Sequence, residues 1–93
     1  MVPATSITIR KRAGIHCRPS GVILKAIQKE FPDHLFEITF RGETIEITGI
    51  LELLSLSLNR GDEAILHVEG PDEEKAIERI GDLFEYEFDF PPR

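Results

Sequence analysis

Tryptophan is absent from this 93-residue chain, and cysteine, tyrosine and methionine each occur once. A lone cysteine, Cys17, cannot close an internal disulfide. No apolar run is long enough for a membrane span or a signal-peptide core, so the cytoplasm is the expected compartment, without membrane insertion. The sequence also lacks a nucleotide-binding Gly-rich loop and a paired-carboxylate constellation, and His34 and His67 have no metal-ligand spacing with Cys17. These gaps argue against an independent enzyme, and the expectation is no metal and no cofactor. Composition shows no break, so residues 1–93 read as one domain, with 88–93, carrying two prolines, as a short tail. A chain of this size buries only about 60–65% of its unfolded surface, which leaves little room for a deep cavity. Any chemistry belongs on the surface.

Positive charge is scarce except at one end. The formal net charge is -6, yet residues 1–30 hold six bases (Arg10, Lys11, Arg12, Arg18, Lys25, Lys29) against the single acid Glu30. The other 63 residues hold five bases and sixteen acids. Such a balance disfavours nucleic acid as a partner and leaves a local basic neighbourhood suited to a small anion or an acidic protein. Ordinary solvated charge is the competing reading for each lysine.

Hydrophobic periodicity supplies the elements. Ile7 and Ile9 alternate within Ser6–Arg10 as in a half-buried strand that ends near Lys11. Val22, Ile23, Ala26, Ile27 and Phe31 recur at helical spacing, with Lys25, Gln28 and Lys29 on the opposite face, and Pro32 stops the helix. Leu35–Phe40 and Glu43–Thr48 alternate as a hairpin about Arg41-Gly42. Between Gly49 and Leu58 the leucines are too dense for one face of a short helix, which leaves some of them exposed. Ala64–Glu69 reads as a fourth strand, and Pro71, at the first helical position, opens a last helix with Asp72, Glu73 and Glu74 at its positive end. Ala76, Ile77, Ile80, Leu83 and Phe84 face inward from it. The order predicts an α+β fold of two layers, an antiparallel sheet with helices on one face.

The residues with chemical potential gather at Gly14-Ile15-His16-Cys17-Arg18-Pro19, between the first strand and the first helix. Gly14 permits a sharp approach, and Pro19 is tolerated in a first turn because its missing N–H has no helical partner there anyway. His16 then sits near the N-cap. The amides of Cys17, Arg18 and Ser20 make an anion site at the helix end, and the positive potential favours a neutral, nucleophilic ring at His16. Arg18 has the forked donors that suit phosphate oxygens. A plain capping or packing histidine is the alternative from position alone.

Gly-Ile-His-Cys-Arg-Pro resembles the Gly-Leu-His-x-Arg-Pro signature of HPr proteins, the histidine phosphocarriers of the bacterial phosphoenolpyruvate-dependent phosphotransferase system. The likeness continues through Arg41-Gly-Glu-Thr, through Ile50 to Arg60-Gly-Asp, and through Val68-Glu-Gly-Pro-Asp-Glu-Glu-Lys-Ala. It implies an open-faced sandwich of four antiparallel strands, in the order 1-4-2-3, with three helices on one face. It also implies phosphorylation of His16 by enzyme I, with Arg18 stabilising the phosphate and an EIIA-type domain as acceptor. The carrier would be monomeric and stoichiometric, not itself an enzyme, and would serve sugar transport or regulation. Ile50, Leu51 and Leu54 would form the partner-docking patch, and Lys25 would help steer acidic partners, regulatory proteins among them. Burial of those apolar residues competes with the docking reading.

Three features depart from the family pattern. Gly49 stands where many of these proteins carry a regulatory serine, so that charge switch has no hydroxyl to act on. Cys17 replaces a usual alanine or threonine and reads as small filler, with a redox role or a Cys and His nucleophile pair as the alternative. The third is the branch served, because a nitrogen-type regulatory paralogue, or a docking module whose His16 is never phosphorylated, fits the same residues.

Overall fold

Alternation of the kind seen in Phe36, Ile38 and Phe40 sends every second side chain to one face of a sheet, and that face must be covered. The computed structural model describes residues 4–12 and 14–86, the side chain of Cys17 excepted. In chain order it contains β1 (Ala4–Thr8), α1 (Cys17–Glu30), β2 (Leu35–Phe40), β3 (Glu43–Glu46), α2 (Ile50–Ser55), β4 (Glu63–Glu69) and α3 (Glu73–Glu85). The strands form one antiparallel sheet in the order β1-β4-β2-β3. Ile65 of β4 lies opposite Ser6 on one side and Thr39 on the other.

One face of that sheet makes the core. Ile7, Phe36, Ile38, Leu66 and Val68 are buried there against Ile23, Ile27, Leu53, Ile80 and Phe84 from the three helices. The other face carries Glu37, Thr39, Ile65 and His67, all partly or fully exposed. Arg41 and Gly42 both have positive φ, 53° and 78°, which is the twist that a two-residue hairpin between right-twisted strands requires. The guanidinium of Arg41 lies over the Phe40 ring, 4.9 Å from its centroid.

Three expectations are corrected. β1 spans Ala4–Thr8 and not Ser6–Arg10, although Ile9 extends the pairing through its N–H to Asp62 O and its carbonyl to Gly61 N. The second hairpin strand ends at Glu46, two residues early, where Ile47 turns its N–H to Phe36 O. Pro71 is not the first residue of α3. The helix begins at Glu73 after Asp72, whose φ of 55° is left-handed, and Glu73 reaches back to the Gly70 N–H at 3.2 Å. Contact between His34 Nε2 and the Pro71 carbonyl holds that turn outside the helix. The expected tail 88–93 lies outside the described residues.

Candidate functional site

The loop between β1 and α1 is fixed at three points before it presents His16. Lys11 is 1% exposed, and its ammonium donates to the carbonyls of Leu83 at 2.6 Å, Phe84 at 3.3 Å and Tyr86 at 2.7 Å. These carbonyls belong to the end of α3, where the helix itself offers no donors and the dipole is negative. Gly14 N–H then closes a turn onto Lys11 O, and Gly14, at φ 72°, lies so close to the next segment that a Cβ would stand 2.3 Å from Leu58 O. Ile15 is buried and donates its N–H to Leu58 O at 2.8 Å.

The Leu58 side of this contact is itself braced. Asn59 N–H donates to the Asp62 carboxylate at 2.8 Å, and the Asn59 side chain donates to Ser57 O at 3.0 Å. The approach to His16 is therefore held by α3 and by the turn after α2.

His16 is the N-cap of α1, with extended backbone and no capping bond from its side chain, and it is half-buried. Its role there is to end the loop, while its carbonyl accepts the first helical bond, from Ser20 N–H at 3.0 Å. That bond corrects one expectation: the Ser20 amide is committed to the helix and is not part of an anion receptor. Pro19, at the third helical position, has no N–H to offer. The amides that the helix leaves without an internal carbonyl partner at this end are those of Cys17 and Arg18. Arg18, on the second helical residue, has an exposed side chain. An imidazole ring, two amides and a guanidinium thus share one helix end, an arrangement whose donors suit a small anion.

Nearby α2 divides its apolar residues. Leu53 is fully buried, whereas Leu51 is 76% and Ile50 39% exposed, and Leu54 is half-buried. The surplus of leucines read from the sequence resolves in this way, with burial taking Leu53, Leu56 and Leu58. α2 packs on α1. Lys25 is exposed on α1, as expected.

At the start of α2, Gly49 is the N-cap, and a Cβ there would lie 2.7 Å from Glu52 Oε1. Thr48 donates its hydroxyl to the same oxygen at 3.1 Å. Glu52 thus already places a carboxylate beside position 49, in the first turn of the helix where negative charge is favourable. His34 and His67 fall where a structural role predicts. His34 packs edge-on to Phe31 and stacks at 6.1 Å from Phe36, and His67 Nε2 lies 3.3 Å from Thr39 Oγ1. Among the described residues no group of His, Cys, Asp and Glu is arranged to hold a metal, and no helix is long and apolar enough to cross a membrane.

Sequence reasoning missed Lys11, which it counted with the exposed basic charges. The signal was present: Ile7, Ile9 and Lys11 keep the period of two, so the lysine follows the isoleucines to the inner face.

An open-faced sheet, three helices over its other face, and a histidine and arginine at a surface helix end together define a small α+β protein with a helix end suited to an anionic group. Comparison with known proteins gives that class its family. The family model described as the PTS HPr component phosphorylation site matches residues 4–86. The phosphocarrier protein HPr of Treponema pallidum is 32% identical over 85 residues, covering 90% of this chain and 93% of that protein. HPr of Chlamydia trachomatis is 29% identical over 77 residues, covering 83% of this chain and 69% of its own length. The crystal structure of HPr from Bacillus anthracis superposes with a TM-score of 0.81 at 20% identity, over 89% of this chain and 96% of that one. The chain belongs to the HPr family, the phosphocarriers of the phosphotransferase system.

Proposed function

We propose that His16 accepts a phosphoryl group from enzyme I and passes it to an EIIA-type domain. The observation that carries this reading is the position of His16: a half-buried N-cap on a loop braced from both sides, followed directly by two helix-end amides and the Arg18 side chain. In the transfer, a lone pair of the His16 imidazole, on Nδ1 by family likeness, attacks phosphorus. The bond from phosphorus to the donor's own atom breaks, and the donor keeps that electron pair. The added charge is received by the amides of Cys17 and Arg18 and by the Arg18 guanidinium, which bind the phosphorylated state better than the free one. The Arg18 side chain is exposed and His16 is only half-buried, so a second protein's nucleophile can reach the product.

Ile50, Leu51 and Leu54 supply the apolar contact for both partners, and Lys25 steers acidic surfaces towards it. The carrier acts as a cytoplasmic monomer formed by one domain over residues 1–93, and Cys17 is small filler beside the nucleophile. Position 49 takes no regulatory phosphate.

Incubation with phosphoenolpyruvate and enzyme I tests the reading. The expected product is an acid-labile, base-stable phosphate on His16 that is absent from His16→Ala. If no such phosphate forms and His16→Ala binds the same partners undiminished, the chain is a docking module and the carrier reading fails.

A further inference from the structure

Two hollows in the surface are bordered by cations, and they differ in one respect. The groove between α1 and α3, of about 480 Å³, has Lys25, Lys29 and Arg79 on its walls together with the carboxylate of Glu30, which takes two donors of Arg79 at 3.0 Å each. The other, a cleft of about 350 Å³, is lined by Ile9, Arg10, Arg60 and Gly61, and no acid lines it.

Local structure brings the two arginines together. Ile9 and Lys11 are buried, each 1% exposed, so the exposed Arg10 between them turns to the uncovered face of the sheet. Gly61 donates its N–H to Ile9 O at 2.8 Å, and Ile9 donates to Asp62 O at 2.9 Å, which ties the turn carrying Arg60 beside Arg10. That turn is closed by Asp62 N–H on Asn59 O at 3.0 Å and by Asn59 N–H on the Asp62 carboxylate at 2.8 Å. The acid nearest to Arg60 in sequence is thus engaged within its own turn. Neither guanidinium is hydrogen-bonded or ion-paired to another described residue.

Two cations on one cleft repel each other, and an anion between them removes the repulsion. The shape of the donors narrows the anion. A carboxylate presents two oxygens in one plane, which satisfy one guanidinium fork and one charge. A phosphomonoester presents three terminal oxygens in tetrahedral directions and nearly two charges, which two forks from different segments can share. The cleft has room for about ten water molecules at about 30 Å³ each, more than a phosphate group fills, so the ligand carries an organic part.

We propose that Arg10 and Arg60 bind a small phosphomonoester, with its phosphate between the two guanidiniums and its organic part against Ile9 and Gly61. The site shares no residue with the helix end that carries His16, and it goes beyond the carrier reading without depending on it. Its ligand bridges the segment that leads into Lys11 and the turn that follows Leu58, the two places from which the His16 loop is held.

Amide NMR of the unphosphorylated full chain, titrated with glycerol 3-phosphate at constant ionic strength and about pH 8, tests the proposal on signals that do not involve His16. The Ile9 and Gly61 amide signals shift and saturate in the millimolar range. Arg10→Gln and Arg60→Gln each raise the Kd about tenfold or more, the effect of losing one charge-assisted fork. Arg41→Gln removes the same charge from the β2–β3 hairpin and leaves the Kd unchanged. Inorganic phosphate binds more weakly than the ester. The proposal is overturned if no saturable shift occurs at Ile9 and Gly61, or if the three variants bind alike. Succinate binding as tightly as the ester would make the cleft a contact for acidic protein surfaces and overturn it, and inorganic phosphate binding as tightly would overturn the assignment to an ester.

Discussion

The Lys11 ammonium lies 2.6 Å from the Leu83 carbonyl, which ties the loop ahead of His16 to the end of α3 across 72 positions of sequence. A buried cation is costly unless its donors are satisfied, and three carbonyls at a negative helix end satisfy these. Lys11→Met keeps the apolar stem and removes the donors. The expected loss is about 1.5–3 kcal/mol, the range for hydrogen bonds to a charged group. Urea unfolding measures it, and amide exchange should show the Gly14–Ile15 segment opening earlier. A loss under about 0.5 kcal/mol would show that water replaces the ammonium at no cost.

Gly14 has the least room of the glycines. Its φ of 72° is left-handed, and a Cβ would meet backbone on the other side, Leu58 O at 2.3 Å and Asn59 Cα at 2.9 Å. Neither atom can swing aside as a side chain would. Gly14→Ala should therefore cost more than the roughly 1–2 kcal/mol of left-handed strain alone. It should also displace Ile15, whose bond to Leu58 O depends on this approach. Thermal unfolding checks the first, and chemical-shift changes at Ile15 and His16 check the second. A variant with unchanged midpoint and spectra would sink both.

Much of this arrangement was legible in the sequence because the patterns are local. The periods of two and of three to four located the sheet and helix faces, and the short run from Gly14 to Pro19 marked the helix end that carries His16. The misses come from partners distant in sequence. Nothing near Pro71 reports that His34 takes its carbonyl, so the start of α3 was placed too early. Nothing near Lys11 names the carbonyls of α3, although its parity with Ile7 and Ile9 does give the direction of its side chain. The Ser20 amide was misjudged for a simpler reason: with His16 as N-cap, Ser20 is already the fourth residue of the helix and its N–H has a carbonyl to meet.

Leu51 and Leu53 separate docking from folding within one short helix. Leu53 is fully buried, and Leu53→Ala should cost about 2–5 kcal/mol through lost burial and the cavity left behind. Leu51 is 76% exposed, so Leu51→Ala should change stability by less than about 0.5 kcal/mol. If α2 is the docking surface, Leu51→Ala should nevertheless raise the KM for the chain as a substrate of enzyme I several-fold. Steady-state kinetics with the two variants at matched folded fractions distinguishes the roles. An unaltered KM for Leu51→Ala would remove that residue from the docking patch.

Arg79 and Glu30 join α3 to the end of α1 by a forked pair, Nε to Oε1 and Nη2 to Oε2, each at 3.0 Å. The hydrogen bond from Arg79 holds the Glu30 carboxyl below its ordinary range, against the opposing effect of partial burial. A carboxyl depressed in the folded state binds its proton more readily once unfolded. The pair thus stabilises fully above the unfolded value, and the contribution disappears as pH falls through the lower folded one. Both side chains are more than 40% exposed, so solvent screening keeps the effect within about 1 kcal/mol. Arg79→Gln should lower stability by a few tenths of a kcal/mol, roughly, near neutral pH in low salt, with the difference from the unaltered chain closing below about pH 4 and on adding salt. Paired urea titrations across that pH range measure it. A difference that persists at low pH and high salt would assign the loss to packing of the Arg79 stem over the groove instead of to the ion pair.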